Sequence, residues 1–373
     1  MRSLWRASAA FLAAAVIASA CGGSGQPAPT AAGSGAAKGC GVPVTGRCAT
    51  EAQTLSGAGA TFPAVIYTKW IDEYNRLTGV QVNYQAIGSG GGIKGITDKT
   101  VDFGATDNAM TDQQLTDAKA AILHVPTVMG GIVATFNVSG VTSLKLTADT
   151  LSGIFLGDIK KWNDAKLVAD NPGVTLPAAD IVTVHRSDGS GTSAVFTDYL
   201  SKVNATWKTQ VGAGQTVQWP GGLGAKGNDG IAGSVKSTPN SIGYVELIYA
   251  LQQKLAAATL KNAAGRFVDA NLDSVSKAAV GVTLPDDLRA SLTNSSNAEA
   301  YPIVAMTYLL TYKDVADKGK ALAMARFFWW GTHEGQVFAK DLGYAPLPAD
   351  VVAKVEAKIR SIASAGQPAL PAQ

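Results

Sequence analysis

Between Thr61 and Leu77 the apolar residues Phe62, Val65, Ile66, Trp70, Ile71, Tyr74 and Leu77 recur at helical spacing, and Gly79 follows where a left-handed cap would close the helix. Pro63 suits the first turn of such a helix. The period then changes, because Val80-Gln81-Val82-Asn83-Tyr84 alternates as a half-buried strand does. Ile181-Val182-Thr183-Val184 is another short β-branched run, and Val195, Phe196, Tyr199 and Leu200 predict a helix over Ser193–Leu200. Strand runs that alternate with helical runs are the pattern of βαβ units, so the fold class expected is α/β.

The junctions between these elements are rich in glycine and hydroxyls. Gly57-Ala58-Gly59-Ala60-Thr61-Phe62-Pro63 enters the first helix, Ile87-Gly88-Ser89-Gly90-Gly91-Gly92-Ile93 enters a short second one with Ser89 as its natural cap, and Arg186-Ser187-Asp188-Gly189-Ser190-Gly191-Thr192 enters a third. The first N–H groups of a helix lack intrahelical partners and lie at the positive end of its dipole, so they can hold an anion's oxygens. Glycine lets the backbone come close, hydroxyls add donors, and the planar fork of Arg186 matches a tetrahedral oxyanion. Any one of these segments also reads as an ordinary capped turn. Three of them point to convergence on one anion. Neither a dinucleotide fingerprint nor a P-loop lysine pattern is present.

These segments, together with Val101-Asp102-Phe103-Gly104-Ala105-Thr106-Asp107, Gly224-Ala225-Lys226-Gly227-Asn228-Asp229-Gly230 and Ser241-Ile242-Gly243-Tyr244-Val245-Glu246, closely resemble the phosphate-binding protein of the bacterial high-affinity phosphate ABC transporter. The likeness runs in order from about Leu55 to Pro348. It implies a periplasmic-binding-protein fold, two α/β lobes joined by crossing hinge strands with the ligand in the cleft between them, and closure by hinge motion. It implies phosphate contacts from Thr61, Phe62, Ser89 and Asp107 in lobe one and from Arg186, Ser190, Gly191 and Thr192 in lobe two. Thr61 and Phe62 would contribute partly through backbone N–H groups.

Asp107 carries the chemical distinction between phosphate and sulfate. A protonated phosphate has a P–OH that an ionised carboxylate can accept, whereas sulfate at neutral pH has no proton to give. A hydrogen bond to a charged group is worth ~1.5–3 kcal/mol, and like-charge repulsion adds to the discrimination. The other reading of Asp107 is a helix cap before Met110–Leu115. Asp188 is expected to pair with Arg186 and orient its fork, a direct contact with phosphate being the other reading.

Composition excludes more than it selects. The 373 residues are 46% hydrophobic and 16% charged with a net charge of +3, which suits a globular chain of two lobes. No basic run with interleaved aromatics points to nucleic acid. The histidines at 124, 185 and 333 and the scattered cysteines make neither a zinc site nor a triad, so neither metal nor cofactor is expected. Trp329-Trp330 beside Phe327-Phe328 reads as packing. A phosphoester hydrolase on a similar cleft is the competing class, but Ser89, Ser190 and Thr192 have no identifiable histidine base. A binder of another tetrahedral oxyanion is the third reading.

At the N-terminus Arg2 and Arg6 flank an apolar stretch over Ala7–Ala20 that is too short to span a bilayer and ends in Ala18-Ser19-Ala20-Cys21. That resembles a lipobox, with Ala18 departing from the favoured branched residue, so ordinary signal-peptide cleavage stays open. Lipidation at Cys21 would tether the exported protein to the outer face of the cytoplasmic membrane. The organisation expected is a signal peptide over 1–20, a linker over 21–50, lobe one over 51–127 and 303–364, lobe two over 128–302, and a disordered tail over 365–373. Gly22–Lys38 reads as a flexible spacer. Cys40 and Cys48, in an exported chain, read as a local disulfide, with two free thiols the alternative. A monomer that passes phosphate to membrane permease subunits is the assembly expected.

Overall fold

A computed structural model describes residues 39–372. The signal peptide, Cys21 and the spacer to Lys38 lie outside the described residues. Strands β1 (Thr54–Gly59), β2 (Gln81–Ala86), β3 (Phe103–Thr106), β4 (Ile122–Asn137), β5 (Val182–Arg186), β6 (Leu223–Ala225), β7 (Ser241–Glu246) and β8 (Val304–Tyr312) form the main sheet in the order β2-β1-β3-β8-β4-β7-β5-β6. β1 pairs in parallel with β2 and β3, and β5 in parallel with β6 and β7. β8 and β4 run antiparallel between these groups.

β4 links two halves. Its residues up to Gly131 pair with β8, and from Ile132 onward they pair with β7. The pairing therefore changes over at Gly131/Ile132, beside the expected crossing near Thr127. Nearly all of β4 is buried, which explains a strand as long as 16 residues without a polar face. β8 brings the chain back, so the first half of the sheet is built from both ends of the chain.

Helices α1 (Ala64–Thr78), α2 (Ser89–Thr97), α3 (Gly191–Val203), α4 (Gly227–Ser237), α5 (Leu247–Gln253) and α6 (Lys318–Thr332) cover the sheet. The apolar stripe read from the sequence buries Ile66, Trp70 and Tyr74 of α1, and Gly79 closes the helix at φ 77°. α6 carries Phe327, Phe328, Trp329 and Trp330 into the core. Tyr74 packs edge-on against Phe327 and Trp330, so the aromatic run serves packing.

Both ends of the described chain depart from what composition suggests. Residues 39–50 are not a free linker: Cys40, Val44 and Cys48 are buried, and Cys40 and Cys48 form a disulfide. Arg326 of α6 holds this strap. Its Nη1 donates to the carbonyls of Gly39 and Gly41 at 2.6 and 3.0 Å, its Nη2 to that of Gly46 at 2.5 Å, and its Nε to Glu51 at 2.8 Å. At the other end, the tail expected to be disordered forms a hairpin of Ala363–Ser364 against Gln367–Pro368, turned by Ala365 and Gly366 at φ 50° and 73°. Leu370 then buries its side chain. Small residues mislead here, because the segment packs through backbone hydrogen bonds from Val315 and Ala363 and not through a visible apolar period.

Candidate binding site

The glycine-rich junctions meet in one place. Thr61 and Phe62 follow the C-terminal end of β1, Ser89 follows β2, Asp107 follows β3, and Ser190, Gly191 and Thr192 follow β5 and Arg186 at its end. Helix N-termini at the carboxyl ends of parallel strands are where an α/β sheet presents unpaired N–H groups. The side chains of Thr61, Phe62, Ser89, Asp107, Arg186, Ser190 and Thr192 are all buried.

Ser89 is not the cap of α2. Gly88 occupies that position with φ 93°, a conformation a β-carbon would strain, and such a carbon would also fall 2.4 Å from Asp188 Oδ2. Ser89 is turned instead toward Asp107: its Oγ accepts from the Asp107 N–H at 3.2 Å and donates to Oδ2 at 3.4 Å. Thr307 of β8 donates to Asp107 Oδ1 at 2.9 Å. Asp107 does not cap the next helix either, since Thr111 does so in a capping box with Gln114. Burial pushes the Asp107 carboxyl up to about 7, against the opposing pull of the Thr307 hydrogen bond and the Arg186 charge.

Across the cleft, Arg186 donates from Nε to Asp188 Oδ1 at 2.7 Å and from Nη2 to Oδ2, a fork-to-fork pair that fixes the guanidinium plane. Burial raises the Asp188 carboxyl, but the bonds from Arg186 and the Gly227 N–H outweigh it and hold the group below its ordinary value. Arg186 Nη1 is buried and has no partner among the described residues. Ser190 caps α3 by accepting from the Ser193 N–H at 3.0 Å, which leaves its own hydroxyl proton free to donate.

The two halves touch closely. A β-carbon on Gly191 would lie 2.3 Å from Ser89 Oγ and 2.7 Å from Asp107 Oδ2, so glycine is required for this approach. The Gly90 N–H donates to the Gly189 carbonyl at 2.9 Å, and Gln215 Nε2 to Asn108 Oδ1 at 2.8 Å. Asn228, at the start of α4, donates from Nδ2 to Thr61 Oγ1 at 2.9 Å and to Thr192 Oγ1 at 3.1 Å. Tyr249 donates to the Thr61 carbonyl, and Tyr344 to that of Phe62 at 2.7 Å. Phe62 packs its ring against Tyr344, so only its backbone faces the cleft chemistry.

Asn228, Thr307, Tyr249 and Tyr344 were not singled out from sequence. Asn228 lies in the Gly224–Gly230 segment, but nothing in a single polar residue signals bonds to partners 167 and 36 positions away. Cys40 and Cys48 sit on the strap and take no part in the cleft. His124 accepts from the Met110 N–H, His185 stacks on Trp219 and His333 stacks on Trp329. No histidine pairs with Ser89, Ser190 or Thr192 among the described residues, and no cluster of three or more His, Cys, Asp or Glu is placed to hold a metal.

A family model described as PBP superfamily domain matches residues 45–328. The chain is 44% identical over 312 residues to the phosphate-binding protein PstS of Xylella fastidiosa, covering 83% of this chain and 85% of that one. It is 44% identical over 313 residues to the phosphate-binding protein PstS of Pasteurella multocida, covering 83% and 90%. Among solved structures, a high-affinity periplasmic phosphate-binding protein bound with phosphate superposes with a TM-score of 0.66 at 22% identity, over 82% of this chain and 93% of the other, and shares its fold.

Proposed function

Since the chain belongs to the PstS family of phosphate-binding proteins within the PBP superfamily, we propose that its cleft binds inorganic phosphate and that the protein delivers it to the permease of an ABC transporter. Arg186 supplies the counter-charge, with Nη1, which has no partner among the described residues, as a donor. The backbone N–H groups of Phe62, Ser89, Gly191 and Thr192 and the hydroxyls of Thr61, Ser190 and Thr192 complete the donor set, joined by the Ser89 hydroxyl when it turns its proton from Asp107 to the ligand. Asp107 accepts the P–OH proton and so selects phosphate over sulfate.

The single observation that carries this reading is a buried guanidinium, with an Nη1 that has no partner among the described residues, in the same cluster as the buried Asp107 carboxyl, which burial pushes up to about 7. A guanidinium and helix N-termini suit any oxyanion, whereas the added carboxyl suits one that brings its own proton. Binding without turnover is supported by the relatives at this identity, which are named as binding proteins.

Lobe one comprises residues 51–127 and 303–364 and lobe two 128–302, with β4 and β8 as the hinge that opens and closes the cleft. Export, lipidation at Cys21, attachment to the outer face of the cytoplasmic membrane and a monomeric state complete the proposal. Calorimetric titration of the purified protein with phosphate and with sulfate tests it. Tight binding of phosphate with weak or undetectable binding of sulfate is expected, and equal affinity for both would overturn the selectivity assigned to Asp107.

A further inference from the structure

Asn228 is wholly buried and uses every polar atom it has. Its Oδ1 accepts from the Glu246 backbone N–H at 3.0 Å, which fixes the side-chain amide the right way round, because a backbone N–H can only donate. The Nδ2 group must then face the two threonines, and each of its hydrogens goes to one of them, Thr61 from the first half of the sheet and Thr192 from the second. The Asn228 backbone N–H adds a further bond to Thr61 Oγ1 at 3.2 Å.

A hydroxyl oxygen has two lone pairs and one proton. Both lone pairs of Thr61 Oγ1 are taken by donors from Asn228, so the only bond left to this hydroxyl is the one it donates. Thr192 has one lone pair occupied in the same way. We propose that Asn228 is a positioning residue that sets the donor polarity of the cleft: it holds the Thr61 hydroxyl with its proton turned toward a bound oxyanion, fills one lone pair of Thr192 on its own lobe, and, since Thr61 stands on the other lobe, completes the Thr61 contacts only when the cleft is closed. This rests on the phosphate-site reading above. Asn228 need not touch the ligand to act, since a hydroxyl free to rotate can present either a lone pair or a proton to an anion, and only the latter is attractive.

An aspartate at this position would reverse the arrangement, since its carboxylate accepts where the amide donates and would draw both hydroxyl protons away from the cleft. The experiment measures inorganic phosphate affinity and its association and dissociation rates for the wild type, Asn228→Ala, Asn228→Asp and the same changes in a Thr61→Val, Thr192→Val background. Asn228→Ala should weaken binding by about tenfold to a hundredfold, the range of a hydrogen bond to a charged group. The loss should lie in dissociation, because the contacts to Thr61 exist only in the closed state. Asn228→Asp should lose more. In the background without the hydroxyls, the cost of Asn228→Ala should fall below about threefold, since no hydroxyl remains to be aimed. An unchanged cost there means that Asn228 acts through the fold or the Glu246 contact, and overturns the proposal. A wild type that gives no heat with phosphate overturns the site reading and this inference together, whereas a wild type that binds while Asn228→Ala binds equally well overturns this inference alone.

Discussion

Two buried arginines divide the molecule's chemistry between them. Arg326 sits in the strap region with its side chain fully enclosed, and its donors are taken by three backbone carbonyls and Glu51. Arg186 is almost as deeply enclosed, but it is held along one edge by Asp188 and keeps Nη1 without a partner. An ion taken out of water needs its hydrogen bonds replaced, so an unreplaced one at a buried cleft favours a ligand that can supply the missing acceptor. The arginine with every group taken holds the strap, and the one with an unpartnered Nη1 stands at the cleft.

Replacing each arginine in turn breaks the comparison most directly. Arg326→Ala leaves Glu51 buried without its counter-charge and three carbonyls without donors, and should destabilise the protein by about 3–5 kcal/mol in denaturant unfolding while phosphate affinity stays within threefold. Substantial loss of affinity would show that the strap supports the cleft. Arg186→Ala should do the reverse: a loss of about 2–5 kcal/mol in phosphate binding by calorimetry, with a smaller change in unfolding than Arg326→Ala. An affinity near that of the wild type would remove Arg186 from the site.

Asp107 sharpens the contrast, because its charge is adjustable. Asp107→Asn should narrow the gap between phosphate and sulfate affinity by a good part of the ~1.5–3 kcal/mol that a hydrogen bond to a charged group supplies, since an amide can donate to an unprotonated oxygen. For the wild type, sulfate affinity should rise as pH falls through about 7, where the raised carboxyl takes up its proton. The same shift sets the sign for stability of the unliganded protein: a folded value raised from 3.8 to about 7 contributes stability that is present below 3.8 and is lost as pH rises through 7. Both pH trends should flatten in Asp107→Asn, and pH-independent sulfate binding by the wild type would rule out the carboxyl as the filter.

The smallest effect belongs to the disulfide. Cys40→Ser with Cys48→Ser opens a loop of sequence separation 8, for which chain entropy gives at most about 2.5 kcal/mol. The melting temperature should fall while phosphate affinity holds. A loss of affinity larger than threefold would connect the strap to the hinge.

The sequence exposed the site through its junctions. Glycine with a hydroxyl at the start of a helix is a local signal, so Thr61, Ser89, Ser190 and Thr192 were readable one segment at a time, and Arg186 with Asp188 could be paired across two residues. The misplaced detail was also local: Gly88 rather than Ser89 caps α2, because only glycine fits φ 93° beside Asp188. What stayed hidden depends on contacts between distant segments. Thr307 reaches Asp107 only because β8 pairs with β3, and the strap around Arg326 requires a helix 275 positions from Glu51 to lie beneath it. Gly- and Ala-rich ends carry no period to read, so their packing had no signature.

The strap and the C-terminal hairpin come to the same helix, α6, and Pro371 lies near Gly41. The described chain thus enters and leaves the fold at neighbouring points on one half, with the other half strung between β4 and β8 as an internal excursion. A pulling force applied at the two ends would load the strap, the hairpin and α6 first and reach the cleft last. Force spectroscopy should then record a rupture event insensitive to phosphate before one that phosphate strengthens.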